Sequence, residues 1–147
     1  MKTYITNKNA SFNYTISEKY EAGIVLRGFE VKAVKTGRAT IQGSHITVEH
    51  NEVFLVGATI APYQPANTPS DYDPQRKRKL LLTKQEIQTL LGKKTQAGLT
   101  IVPLKIYNKN NTIKLEIALA RGKKKHDKRE HIKKRDTDRE LRRVHAQ

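Results

Sequence analysis

Ile113, Leu115, Ile117 and Leu119 fall on every second residue of the stretch 112–120. A helix would scatter these four around its circumference, whereas a strand sets them on one face. Each is worth about 1.5–3 kcal/mol when fully buried, so a one-residue slip that exposed them all would be prohibitive. Upstream, residues 99–107 read as a partner strand, and Asn108-Lys109-Asn110-Asn111 between the two has turn composition. The chain is committed to a long antiparallel hairpin with a buried face.

Shorter elements follow the same logic. Ile46 and Val48 alternate with polar neighbours, His50-Asn51 can turn, and residues 53–60 return as a second hairpin. Phe12, Tyr14 and Ile16 predict a half-buried strand, and YEAGIVL at 20–26 predicts another. FEVKAVKT, between Gly28 and Gly37, reads as a short helix, though its β-branched valines suit a strand as well. Thr83 and Glu86 have capping-box spacing, Thr83 being the N-cap. Ile87, Leu90 and Leu91 then form one helical face, and Gly92 or Gly98 can stop the helix. The expected class is mainly β with flanking helices, a small antiparallel barrel for which OB-like and SH3-like topologies both fit. Residues 61–79 hold Pro62, Pro65, Pro69 and Pro74 and predict a long loop. It ends in Arg76-Lys77-Arg78-Lys79, against Leu80-Leu81-Leu82, of which at least two are expected in the core.

Charge divides the 147 residues unevenly. The chain carries 29 Lys and Arg against 14 acidic residues, a formal net charge of +15. Residues 121–147 alone hold 12 of those basic residues, with only Ile132, Leu141, Val144 and Ala146 as apolar partners. Such a segment cannot bury enough surface to offset its ordering entropy. The expected organisation is a body, 1–120, and a basic C-terminal tail, 121–147, disordered when free. With no cysteine there are no disulfides and no thiolate sites. The N-terminal MKTYITNKNASFNY lacks the apolar stretch of a signal peptide, and the longest apolar run, 53–61, is half a membrane span. These features predict a cytoplasmic monomer with no membrane partner and an affinity for polyanions, nucleic acid foremost.

No catalytic or nucleotide fingerprint is present, neither G-x-S-x-G, P-loop nor glycine-rich dinucleotide turn. His126 with Glu130, and Asp127 with His131, are spaced for a shared helix face, but the surrounding lysines oppose a divalent cation. The sequence therefore predicts no enzyme, no metal and no cofactor. Two dense basic clusters point instead to phosphate contacts. Glu21 and Glu30 run against that trend, and either a lysine partner or a base amino group would account for each. From the residues alone, this is a basic β-barrel with a basic tail that binds structured RNA.

Six stretches carry a resemblance to a known family: NKNA at 7–10, YEAGIVL at 20–26, GFEVKAV at 28–34, DPQRKRKLLL at 73–82, GLTIVPLKIY at 98–107 and ARGKKKHDKRE at 120–130. In this order they resemble the bacterial small protein B, or SsrA-binding protein, family. The resemblance implies an OB-fold that binds the tRNA-like part of transfer-messenger RNA and delivers it to stalled ribosomes for trans-translation. It also implies RNA contacts at Glu21, Leu81 and Thr83. With Lys32 of the GFEVKAV stretch and the cations Arg76, Arg78 and Lys79, these make up the RNA-binding residues expected on the body. The tail residues Gly122, Lys123, Lys124, His126, Asp127, Lys128 and Arg129 are implied to engage small-subunit rRNA near the decoding centre and mRNA channel, where the tail is expected to become helical. A ribosomal structural or assembly protein acting on rRNA is the competing reading.

Overall fold

The computed structural model describes residues 2–123. The expectations for 124–147, including tail disorder, the helix and the roles of Lys124, His126, Asp127, Lys128 and Arg129, lie outside the described residues. The chain order is β1 (Lys2–Thr6), α1 (Ala10–Asn13), β2 (Tyr14–Ile24), α2 (Gly28–Lys35), β3 (Ala39–Thr40), β4 (His45–Glu49), β5 (Glu52–Val56), β6 (Thr59–Ile60), β7 (Arg78–Leu81), α3 (Lys84–Ala97), β8 (Thr100–Lys109) and β9 (Thr112–Gly122). Seven strands form one antiparallel sheet in the order β1-β8-β9-β2-β7-β5-β4, and β3 pairs with β6. The sheet curls until β4 lies against β8, which makes it an OB-type barrel with flanking helices.

The β8–β9 hairpin forms as its alternation requires. Leu115, Ile117 and Leu119 are fully buried, together with Ile101, Ile106, Leu55 and Leu80, while Ile113 packs at the rim. The turn is tighter than the composition suggests. Only Asn110 and Asn111 have positive φ, at 52° and 61°, so the strands run on through Asn108 and Lys109. His50 and Asn51 turn the β4–β5 hairpin in the same left-handed conformation, at 50° and 63°. Asparagine tolerates this region because its short side chain bonds locally.

Other expectations are corrected. Phe12 lies in the short helix α1, and the two strands predicted over 12–26 are one strand, β2. Its ladder with β9 slips between Ile16 and Glu18. Ahead of that bulge Tyr14 and Ile16 face Gly122 and Ala120; beyond it Tyr20 and Ala22 face Ile117 and Leu115. The bulge thus moves Tyr14 and Ile16 to the opposite side of the sheet, where they cover Val102, Ala118 and Ala120 in a second small core. Residues 53–60 break at Gly57, whose φ of +88° ends β5 and redirects β6 to β3. The helix α3 passes through Gly92 and stops at Gly98, in the left-handed conformation. The barrel also reaches beyond residue 120: Arg121 pairs with Thr15, Gly122 pairs with Tyr14, and the Lys123 N–H donates to the Asn13 carbonyl at 2.8 Å. Gly122 and Lys123 therefore belong to the body.

Candidate nucleic-acid interface

Strand pairing sets the outward-facing side chains in rows across four strands. Tyr107 on β8 faces Lys114 on β9, Lys114 faces Gly23 on β2, and Gly23 faces Leu81 on β7. A parallel row runs Lys105, Glu116, Glu21. On the other side Val25, whose N–H donates to the Lys79 carbonyl at 2.9 Å, lies beside Lys79, and Lys79 faces Phe54 on β5. Lysines, two glutamates, the half-buried Phe54 ring and apolar groups share one face, and Tyr107 lies almost fully buried beneath it.

Leu81 is 55 % exposed and Val25 45 %, the two large apolar side chains the described barrel leaves in solvent. Between them Gly23 keeps the surface low: a Cβ there would meet the Leu81 Cβ at 3.2 Å. Leu80 is buried and Leu82 partly so, which leaves Leu81 as the outward member of the triplet. Thr83 follows at once. Its Oγ accepts from the Glu86 N–H at 3.1 Å while its own N–H donates to the Glu86 carboxylate at 3.0 Å, so it caps α3. Strand register puts Glu21, Leu81 and Lys79 on one side of the barrel, and Thr83 follows β7 as the cap of α3. Lys32 stands elsewhere, on α2.

Glu21 has both partners that its position demands. Its carboxylate accepts from the Tyr107 hydroxyl and, at 3.3 Å, from Lys109. The Tyr107 hydrogen bond, aided by Lys109, holds the carboxyl below its ordinary pKa, against a smaller opposing effect of desolvation. Tyr107 is 3 % exposed, and burial with the Glu21 contact pushes its hydroxyl well above the usual value. Without Glu21 a nearly buried hydroxyl loses its acceptor and Lys109 its tether. Glu21→Ala is therefore expected to weaken RNA binding although it removes a repulsive charge, as a filter-binding titration would read. Tighter binding would place the carboxylate outside the interface.

The basic cluster at 76–79 divides between core and solvent, and the sequence expectation is corrected for Arg78. Arg78 points inward and is fully buried. Its guanidinium donates to Glu30 at 2.6 and 3.1 Å, to the Ala58 carbonyl at 3.0 Å and to the Tyr72 hydroxyl at 2.9 Å. Arg76 donates to the same carboxylate through two nitrogens and is three-quarters buried. Two guanidinium groups share one carboxylate: Arg78 is a core residue with no guanidinium to offer phosphate, whereas Arg76 keeps an edge in solvent. Glu30, for which a lysine or a base amino group was the expected partner, is the centre of this network and pairs with arginines. Lys77 and Lys79 point outward and are nearly half exposed, in ion pairs with Glu49 at 2.8 Å and Glu52 at 3.5 Å. The Lys77 ammonium also sits 4.3 Å from the Phe54 ring centroid. Surface pairs of this kind contribute little to stability and exchange readily for phosphate.

Gly23, Val25, Lys114 and Phe54 were not singled out from the sequence. Only Gly23 carried a signal, as a glycine inside a strand pattern, which marks close approach of neighbours. Among the described residues no cluster of three or more potential metal ligands occurs, and no helix is long and apolar enough to cross a membrane.

A curled antiparallel sheet whose outer face carries lysines beside the exposed Leu81 and Val25 defines the class: a small nucleic-acid-binding β-barrel. Sequence comparison makes the assignment specific. The family model described as SmpB protein matches residues 4–147, and the chain belongs to that family. It is 52 % identical to the SsrA-binding protein of Persephonella marina, over 96 % of this chain and 92 % of that one. With the SsrA-binding protein of Halothermothrix orenii it shares 50 % identity over 98 % of this chain and 92 % of the relative. A solved chain described as "tmRNA-SmpB: a journey to the center of the bacterial ribosome" superposes with a TM-score of 0.67 at 48 % identity, covering 82 % of this chain and 85 % of that chain.

Proposed function

We propose that this protein is an RNA-binding adaptor of trans-translation: the barrel binds the tRNA-like part of transfer-messenger RNA, and the basic tail carries that RNA into stalled ribosomes. One observation carries the reading: the family match runs from residue 4 to 147, and Glu21 and Leu81 stand on one face beside the bare floor at Gly23. Leu81 and Val25 supply apolar contact for a base or ribose. Lys79, Lys77 and Lys114 supply phosphate contacts, and each such contact steepens the salt dependence of binding by close to one unit.

The protein itself does no chemistry in this scheme; it positions an RNA. Its working compartment is the cytoplasm, where stalled ribosomes are, and its working form is a monomer. RNA recovered with the protein from cells tests the reading. One abundant RNA with a tRNA-like end is expected; recovery of rRNA alone, in intact subunits, would favour an assembly factor instead.

A further inference from the structure

We propose a second RNA contact on the far side of α2, a cleft that takes a single unstacked nucleotide, its base against Tyr63 and its phosphate at Lys32. The proposal rests on the adaptor reading and extends it to a site that the Glu21–Leu81 face does not include. The cleft has a volume of about 250 Å³ and runs between α2, through Gly28, Phe29 and Lys32, and the turn at Tyr63, Gln64, Asn67 and Thr68. That space suits one base with its sugar.

Both walls are held rigid from behind. On the α2 side, Phe29 packs edge-on against Tyr72 with centroids 4.7 Å apart, and Tyr72 is itself bonded into the buried Glu30–Arg78 network. Across the cleft, the 3-10 turn Pro65–Asn67 is closed by backbone bonds and by the Thr68 hydroxyl donating to the Gln64 carbonyl at 2.8 Å. Arg38, which does not line the cleft, sits 5.8 Å from the Tyr63 ring centroid and donates to the Tyr63 carbonyl at 3.3 Å, fixing the ring. A preformed aromatic wall costs little entropy when a base stacks on it.

The polar groups suit a base edge. Asn67 donates its side-chain amide to the Gln64 side-chain oxygen at 2.9 Å. That bond consumes one donor and one acceptor and leaves the Gln64 NH₂ and the Asn67 carbonyl oxygen as an adjacent donor–acceptor pair, the pattern that reads the edge of a base. Lys32 is exposed and makes no ion pair among the described residues, unlike Lys77, Lys79, Lys93 and Lys109. A cation left free beside an aromatic wall is available to phosphate. An unstacked nucleotide could come from transfer-messenger RNA or from rRNA, so both are used as probes.

The full chain and its Tyr63→Ala, Tyr63→Phe and Lys32→Ala variants would be titrated against the tRNA-like part of transfer-messenger RNA and against small ribosomal subunits, with melting curves confirming that each variant folds. Stacking predicts a loss of at least fivefold for Tyr63→Ala with one of the two probes and retention by Tyr63→Phe. With the same probe, Lys32→Ala should lower the salt slope by about 0.7, the value for one single-strand phosphate contact. The probe affected identifies the source of the nucleotide. Losses below fivefold with both probes, in folded Tyr63→Ala, would overturn the cleft while leaving the adaptor reading intact. A wild-type chain that bound neither probe would overturn the adaptor reading and the cleft with it.

Discussion

Glu30→Ala is expected to destabilise the barrel by about 3–5 kcal/mol, the usual cost of stranding one half of a buried ion pair. Chemical denaturation reads this directly, and for a body of this size the melting temperature should fall by roughly 10–20 °C. The carboxylate is fully buried and accepts from Arg76, Arg78 and the Arg27 N–H, the last at 2.8 Å. Deleting it leaves the Arg78 charge inside the barrel with only the Ala58 carbonyl and the Tyr72 hydroxyl for partners. Glu30→Gln keeps the shape and still strands that charge, so it should be destabilising too. Arg76→Ala should cost less, because Arg76 reaches solvent and Arg78 continues to neutralise the acid.

Acid titration checks the same network independently. Burial alone would push the Glu30 carboxyl up, but the hydrogen bonds from Arg76, Arg27 and Arg78 outweigh it and hold the pKa down to about 2, against 4.5 unperturbed. A depressed carboxyl stabilises the fold fully above its unfolded value, and this contribution disappears as pH falls through the folded value. The wild-type chain should therefore lose about 3 kcal/mol from this group between pH 5 and pH 2. Glu18 and Glu21, also held below their ordinary range, act in the same direction. Glu30→Gln should be flatter over that window. A wild-type acid limb no steeper than that of Glu30→Gln would mean the network does not hold the charged carboxylate.

Much of the barrel was legible in the residues because burial forces period-2 alternation. The β8–β9 hairpin and the Thr83 cap formed where pattern and capping chemistry placed them, as did the β4–β5 hairpin up to the break at Gly57. At 29–36 the helix α2 won over the strand its valines also suited. The misreadings came where pairing partners, which a sequence does not display, took control. The bulge in β2 inserts one residue and moves Tyr14 and Ile16 across the sheet, and only the ladder with β9 reveals it. Arg78 was readable in principle. Carrying the inward alternation of Leu82 and Leu80 back two residues puts position 78 in the core, with Glu30 as its counter-ion. Charge density drew attention to the cluster, but strand parity buries Arg78 and turns Lys79 to solvent. The candidate face was legible at Glu21 and Leu81 through family resemblance. Tyr107, Lys114 and Gly23 join it through register alone.

The largest functional effect is expected from the tail. Residues 124–147 hold ten basic against five acidic residues and no large apolar cluster. Removing them leaves the barrel closed, since Gly122 still pairs with Tyr14 and the Lys123 ammonium still donates to the Ser11 carbonyl at 2.8 Å. All the residues of the Glu21–Leu81 face also remain. Non-specific phosphate attraction will weaken with the lost charge, so the comparison belongs at about 0.15 M salt, where such screening is strong. A chain ending at Lys123 is expected to keep its selectivity for the tRNA-like part of transfer-messenger RNA over an unrelated structured RNA, while its support of tagging on stalled ribosomes disappears.

Those two quantities, measured on the same truncated protein, test most directly whether the barrel captures RNA and the tail delivers it. Selective RNA binding within about threefold of the full chain, with tagging abolished, is the result predicted here. Loss of selective binding, or tagging at the normal level, would contradict the division of labour.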